Sequence, residues 1–342
     1  MIRSALILIF SLLSNGVTAQ SVVNVYVWGG EIPKTIIHQF ETETGIDVHF
    51  STYDSNETLY TKLKAGKEGL YDVILPSSYF VERMSHQGML TRLDHSKLSN
   101  ISHLDSMFIH NDFDPENQYS APLIWGATGL FFNRDHGSNP PTIWNQLWTS
   151  RFRNQLLLLD DSRELFSMAL MSLGYSPNDT SAQHITDAYH RLLTLIPNIK
   201  LFSNEGIQSL LIDEDATAGV VWNGDAFKAH AENKSIEFVY PDDGFVLWVD
   251  CLAIPAQAPH LNEAYAFINF LLRPDVAAQI GLIQGHAITN ATGKTLLPSA
   301  IRNNPMLYPS KKTLSRGYFQ HYPGEETVAL FNQYWEQFKL AF

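Results

Sequence analysis

A period-two run of valines that turns into a helical pattern and back again is what most restricts the fold of this chain. Val23, Val25 and Val27 alternate with Asn24, Tyr26 and Trp28, the spacing of a half-buried strand. Gly29-Gly30 makes a turn, Pro33 suits a first helical turn, and Ile36, Ile37 and Phe40 share one helical face before Gly45 stops it. Ile46, Val48 and Phe50 then alternate again. This β-α-β unit recurs: Ser55 opens a helix containing Leu59 and Leu63, and residues 71–75 return as a buried strand that runs into the loop Pro76-Ser77-Ser78-Tyr79. Such units build an open α/β sheet, whose ligand crevice lies beyond the carboxyl ends of the strands. Trp28 and the loop from Ser77 to Tyr79 therefore point toward one cleft.

Further along, Gly219-Val220-Val221-Trp222 forms another strand, followed by a turn at Asn223-Gly224. In the strand over residues 245–255, alternation puts Trp248 and Asp250 on one face, an aromatic plate beside a carboxylate. Residues 264–272 form an apolar helix closed by Arg273-Pro274, and a second helix starts at Asp275. The expected class is α/β in two lobes, each a central sheet flanked by helices, with the cleft between them. One lobe is assigned residues 20–126 plus 251–298, and the other 127–250 plus 299–342. More than one crossing between lobes favours a hinge over a loose linker.

The chain's beginning suggests where such a protein works. Arg3 precedes an apolar run over residues 5–13, and Val17-Thr18-Ala19 offers a small-residue cleavage site, so residues 1–19 are expected to be a signal peptide. Nine apolar residues are too few to span a bilayer, which takes roughly 20. The only cysteine, Cys251, is far from that cleavage point, which argues against a lipoprotein and rules out an intramolecular disulfide. Hydrophobic cores must hold the mature chain, and 45% hydrophobic with 17% charged residues is a globular composition. Removal of the leader takes Arg3 and leaves 22 basic against 35 acidic residues, a balance that repels nucleic acid and attracts cations.

Catalytic patterns are missing from the sequence. No Gly-x-Ser-x-Gly elbow or His-Glu-x-x-His pair occurs, and the thirteen histidines are scattered without ligand spacing. Gly293-Lys294-Thr295 echoes a phosphate loop, but Ile288 stands where its first glycine belongs. Neither cofactor nor metal is expected, and Cys251 reads as a buried core thiol. What remains is acids and aromatics at element ends. Asp161 and Glu164 share a side of a helix running through Leu165, Phe166, Met168 and Leu170, a spacing that also fits a capping box. Trp28, Trp125, Trp222 and Trp248 suit a core or rim as well as a ligand platform. Taken together, aromatic faces with carboxylates are what a flexible organic cation requires, because ammoniums leaving water need counter-charges and the methylenes between them need apolar plates.

Matches along nearly the whole mature chain make it resemble the periplasmic spermidine/putrescine-binding proteins. They include Glu43-Thr44-Gly45-Ile46, Ser51-Thr52-Tyr53, Ser55-Asn56-Glu57-Thr58, Trp125-Gly126-Ala127-Thr128, Trp222-Asn223-Gly224, Leu252-Ala253-Ile254-Pro255 and the run from Ile268 to Ala277. The resemblance implies a monomeric, non-enzymatic clamshell in the periplasm that captures a polyamine and delivers it to the membrane permease and ATPase of an ABC importer. A sensor of the same fold signalling to a membrane receptor, and an enzyme acting on a cationic substrate, are the competing functions. By position, Trp28, Tyr79, Trp222 and Trp248 would sandwich the methylenes, and Asp161, Glu164 and Asp250 would bind the ammoniums. Ser77, Ser203 and Gln320 would hydrogen-bond an amine. Two positions depart from the family pattern, Glu31 and His286 standing where aromatics are usual. A neutral His286 can lie beside the ligand, and a protonated one repels it, so affinity is expected to fall as pH drops through roughly 6.5. A carboxylate of Glu31 within reach would raise that value, whereas a rim position in water would leave both residues uninvolved.

Overall fold

The computed structural model describes residues 21–66 and 69–342, so the leader assigned to residues 1–19 lies outside the described residues. Among the described residues, eleven strands join in one continuous sheet. In chain order they are β1 (Val22–Trp28), β2 (Asp47–Tyr53), β3 (Val73–Ile74), β4 (Ser120–Asn133), β5 (Leu156–Leu158) and β6 (Ile199–Phe202). β7 (Ala218–Trp222), β8 (Ile236–Val239), β9 (Phe245–Ala253), β10 (Ala287–Ile288) and β11 (Gly317–Phe319) follow. The main order is β2-β1-β3-β9-β4-β7-β5-β6.

Two lobes arise because β4 and β9 are long antiparallel strands that serve both halves. β1 pairs in parallel with β2 and β3, and β3 meets β9 at Ala253, while β10 lies against Ile124 and Trp125 of β4. Beyond Gly126, which is in register with Trp248, β4 stays on β9 through Thr128 and also pairs with β7 and β8, and β11 pairs with the first residues of β9. Each lobe thus owns one half of the same two strands, the geometry of a hinge.

Amphipathic helices cover the sheet. Helix Lys34–Thr44 buries Ile36, Ile37 and Phe40 and ends at Gly45, whose φ of 70° is left-handed and costs a glycine little. Phe40 packs edge-on to Phe267 of helix Leu261–Leu271, and Val23, Val25 and Val27 complete that core. In the other lobe helix Ser162–Ser172 is buried along its length and Phe166 meets Phe331 of the C-terminal helix Glu325–Ala341. The lobes also touch through charge. Arg83 of helix Ser78–His86 donates twice to Glu325, at 2.8 and 2.7 Å, and its guanidinium lies 3.9 Å from the Tyr60 ring centroid.

Three local expectations are corrected. Residues 71–75 pair as a strand only at Val73–Ile74, because Tyr71 is used to stack on Tyr26 at 4.5 Å and Pro76 follows. Ser78 and Tyr79 belong to a helix, with Ser77 as its N-cap, not to a loop. Asn223-Gly224 opens helix Asn223–Glu232 directly from β7 because the Asn223 side chain is fixed on both sides, accepting from the Ala127 N–H at 3.0 Å and donating to the Met306 carbonyl at 2.7 Å.

Candidate functional site

Strand ends and helix starts from both lobes surround an open cleft of about 440 Å³. Eleven of the twelve sequence-predicted residues line it: Trp28, Glu31, Ser77, Tyr79, Asp161 and Glu164, then Trp222, Trp248, Asp250, His286 and Gln320. Ser203 stands apart. Its hydroxyl closes a local turn, donating to the Glu205 carbonyl at 2.6 Å and accepting from the Glu205 N–H, and its neighbours Asn204 and Glu205 face the cleft instead. Trp125 is core, with its indole N–H donating to the Ile288 carbonyl.

Asp250 occupies the middle. As the alternation of β9 requires, it shares a face with Trp248, and its Oδ1 accepts from the Ser77 hydroxyl at 2.7 Å. Asn56 organises this contact from behind, accepting from the Ser77 N–H and donating to the Ser77 hydroxyl at 3.1 Å and to the Tyr79 hydroxyl at 3.3 Å. Trp248 can lie flat there because β4 has Gly126 opposite, where a Cβ would come within 2.2 Å of the indole.

At one end, Asp161 is indeed the N-cap of its helix, accepting from the Glu164 N–H at 3.0 Å. The reciprocal arm of a capping box is absent: Glu164 is buried with Oε2 unpartnered. One residue therefore caps and faces the cleft together, while the other is left for something else. Burial, reinforced by Asp161, raises the Glu164 carboxyl to about 8, and burial raises Asp250 to about 7. Asp161 is raised as well, again chiefly by burial.

At the opposite end, Glu31 Oε2 lies 3.6 Å from His286 Nε2, so neither side chain is in open water. The contact does not hold a proton on the ring. Burial and the nearby Lys228 cation push His286 down to about 3, and burial followed by the Asp250 charge pushes Glu31 well up. With the ring held neutral in this way, a loss of affinity through a histidine value near 6.5 is no longer expected. His286 is a neutral ring packed edge-on to Trp248, 5.9 Å between centroids, and Gly224 leaves it room, since a Cβ there would sit 2.4 Å from Nδ1.

Sequence reasoning missed Asp225 and Lys228. They lie three apart in helix Asn223–Glu232, with Nζ 3.2 Å from Oδ1, and a turn read at Asn223-Gly224 hid that helical spacing. Cys251 is fully buried, and burial holds its thiol well above the usual range. Among the described residues no group of three or more His, Cys, Asp or Glu is arranged to hold a metal.

Buried cleft atoms without partners include Trp28 Nε1, Trp248 Nε1, Glu31 Oε2, Glu164 Oε2 and His286 Nδ1. Buried polar atoms are nearly always paired, so these five need water or a polar ligand in the cleft. Two α/β lobes on shared hinge strands around such a cleft define a ligand-capturing clamshell protein. The chain belongs to the bacterial extracellular solute-binding protein family, whose pattern matches residues 35–305, and within it to the group named spermidine/putrescine-binding periplasmic proteins. The protein of that name from Salmonella typhimurium is 42% identical over 316 residues, which are 92% of this chain and 90% of the relative. A solved Listeria monocytogenes structure, provisionally assigned to a spermidine/putrescine ABC transporter, has a TM-score of 0.91 and 36% identity, covering 94% of this chain and 100% of that one. The spermidine/putrescine ABC transporter substrate-binding protein of Streptococcus pneumoniae has a TM-score of 0.81 and 32% identity, covering 94% and 99%.

Proposed function

We propose that this cleft captures an aliphatic polyamine of the spermidine and putrescine class, and that the loaded protein delivers it to the membrane permease and ATPase of an ABC importer. In this reading the leader is cleaved, and the mature protein, not lipid-anchored, works in the periplasm. The observation that carries it is the arrangement of carboxyls and indoles along one cleft: Asp161 and Glu164 at one end, Asp250 in the middle, Glu31 at the other end, with Trp28, Trp222 and Trp248 among them. Asp250 acts electrostatically on both Glu164 and Glu31, which supports its central position. A linear cation would meet counter-charges spaced along its length and aromatic surface between them, each cation-aromatic contact contributing roughly 0.5–2 kcal/mol. The named relatives point to the same ligand class.

The lobes, residues 20–126 plus 251–298 and 127–250 plus 299–342, would close about β4 and β9 near Gly126 and Trp248. Because three of the cleft's side chains are indoles, closure should change intrinsic fluorescence on addition of putrescine or spermidine. The liganded protein should also stimulate ATP hydrolysis by its importer in proteoliposomes. Fluorescence that ignores both amines refutes the ligand. Amine binding without stimulation of ATP hydrolysis refutes delivery and favours a sensor.

A further inference from the structure

Among the described residues lining the cleft, Lys228 is the only lysine or arginine. Its position is fixed from two sides. The ammonium is held 3.2 Å from Asp225 one helical turn before it, and the aliphatic stem lies against Gly285 of the other lobe, where a Cβ would come within 2.8 Å of Lys228 Cγ. Both partners lie near the end where Glu31 and His286 meet, and the lysine's charge acts on each of those two residues.

The two ends of the cleft therefore differ in charge. Asp161, Glu164 and Asp250 bring three carboxyls, and the charge of Arg163, which does not line the cleft, acts on the first two and offsets one of them. Among Glu31, Asp225, Lys228 and His286, the ammonium of Lys228 compensates Asp225 and the imidazole is neutral, leaving Glu31 as the one uncompensated carboxyl. Two ligand ammoniums can be matched by the first group. A further one, carried on a longer amine, would approach a fixed positive charge in a poorly hydrated site, where like charges repel strongly.

We propose that Lys228, held by Asp225, is a specificity-determining residue that biases the cleft toward diamines over longer polyamines. The inference rests on the polyamine reading above and adds to it a repulsive element. Calorimetric titration of the wild type, Lys228→Gln, Lys228→Arg and Asp225→Asn with putrescine and with spermidine tests it. Lys228→Gln should raise spermidine affinity relative to putrescine by about tenfold or more. Lys228→Arg keeps the charge and should hold the ratio within about threefold of the wild type. Asp225→Asn frees the ammonium from its partner and should move the ratio the other way. A ratio that stays put in Lys228→Gln, or that moves toward putrescine, overturns the proposal. Wild-type protein that binds neither amine defeats the underlying polyamine reading instead, so the two failures are told apart.

Discussion

Binding of a polyamine here should release protons, and its pH dependence can be worked from the cleft itself. In the empty protein Glu164 titrates at about 8 and Asp250 at about 7, both raised by burial. A ligand ammonium favours the ionised carboxylate, so molecules holding either proton must lose it on binding. Taken as independent sites, both are ionised in about half of the molecules at pH 8, one in twenty at pH 7 and one in a thousand at pH 6. These two groups alone should lower affinity about tenfold from pH 8 to 7 and about 50-fold more by pH 6, and Glu31, whose carboxyl is also raised, acts in the same direction. Titration calorimetry in buffers of different ionisation enthalpy measures both the affinity and the protons released, expected to exceed one at pH 7. His286→Tyr should leave the profile in place, because the ring is held neutral with a value of about 3. A flat profile between pH 6 and 8, or one that disappears in His286→Tyr, would contradict proton release from Glu164 and Asp250.

The same groups act on the empty protein with opposite sign. A carboxyl whose value is raised by folding stabilises the native state below its unfolded value near 4, and that contribution is lost as pH rises through 7 to 8. The melting temperature of the unliganded protein should therefore rise on acidification from pH 8 to 5, and one that falls over this range contradicts the raised values. Asp250→Asn should weaken binding by about 2–4 kcal/mol, since a buried ammonium loses its counter-charge, and a calorimetric loss under tenfold would place Asp250 outside the binding contacts. Ser203→Ala should change affinity less than about twofold, its hydroxyl being committed to the turn at Glu205. Arg83→Ala removes two of the bonds that link the lobes at Glu325, and stopped-flow fluorescence should find faster ligand release with a nearly unchanged on-rate.

Local periodicity made part of this molecule readable. The alternation of β1 and β9 put Trp28 at a strand end and Trp248 on the face of Asp250, and strand parity alone carries both statements. Long-range geometry was not readable in that way. β4 is buried along all fourteen residues and contains Pro122, Gly126 and Gly129, so it shows no alternation and its role as a strand common to both lobes is invisible from its own residues. Asp225 and Lys228 were hidden for a related reason. An Asn-Gly pair after a strand has the chemistry of a turn, and only the bonds of Asn223 to Ala127 and Met306 make it a helix start. Asp161 shows the opposite limit: spacing suggested either a cap or a cleft residue, and it is a cap that also lines the cleft.

Direct titration of the purified protein with putrescine and spermidine at pH 8, where about half the molecules already have both carboxyls ionised, tests the central claim most plainly. Saturable one-to-one binding of at least one of them is expected, with a Kd near or below about 1 µM, corresponding to roughly −8 kcal/mol. An absence of binding heat and of any thermal shift with both amines at millimolar concentration would contradict it.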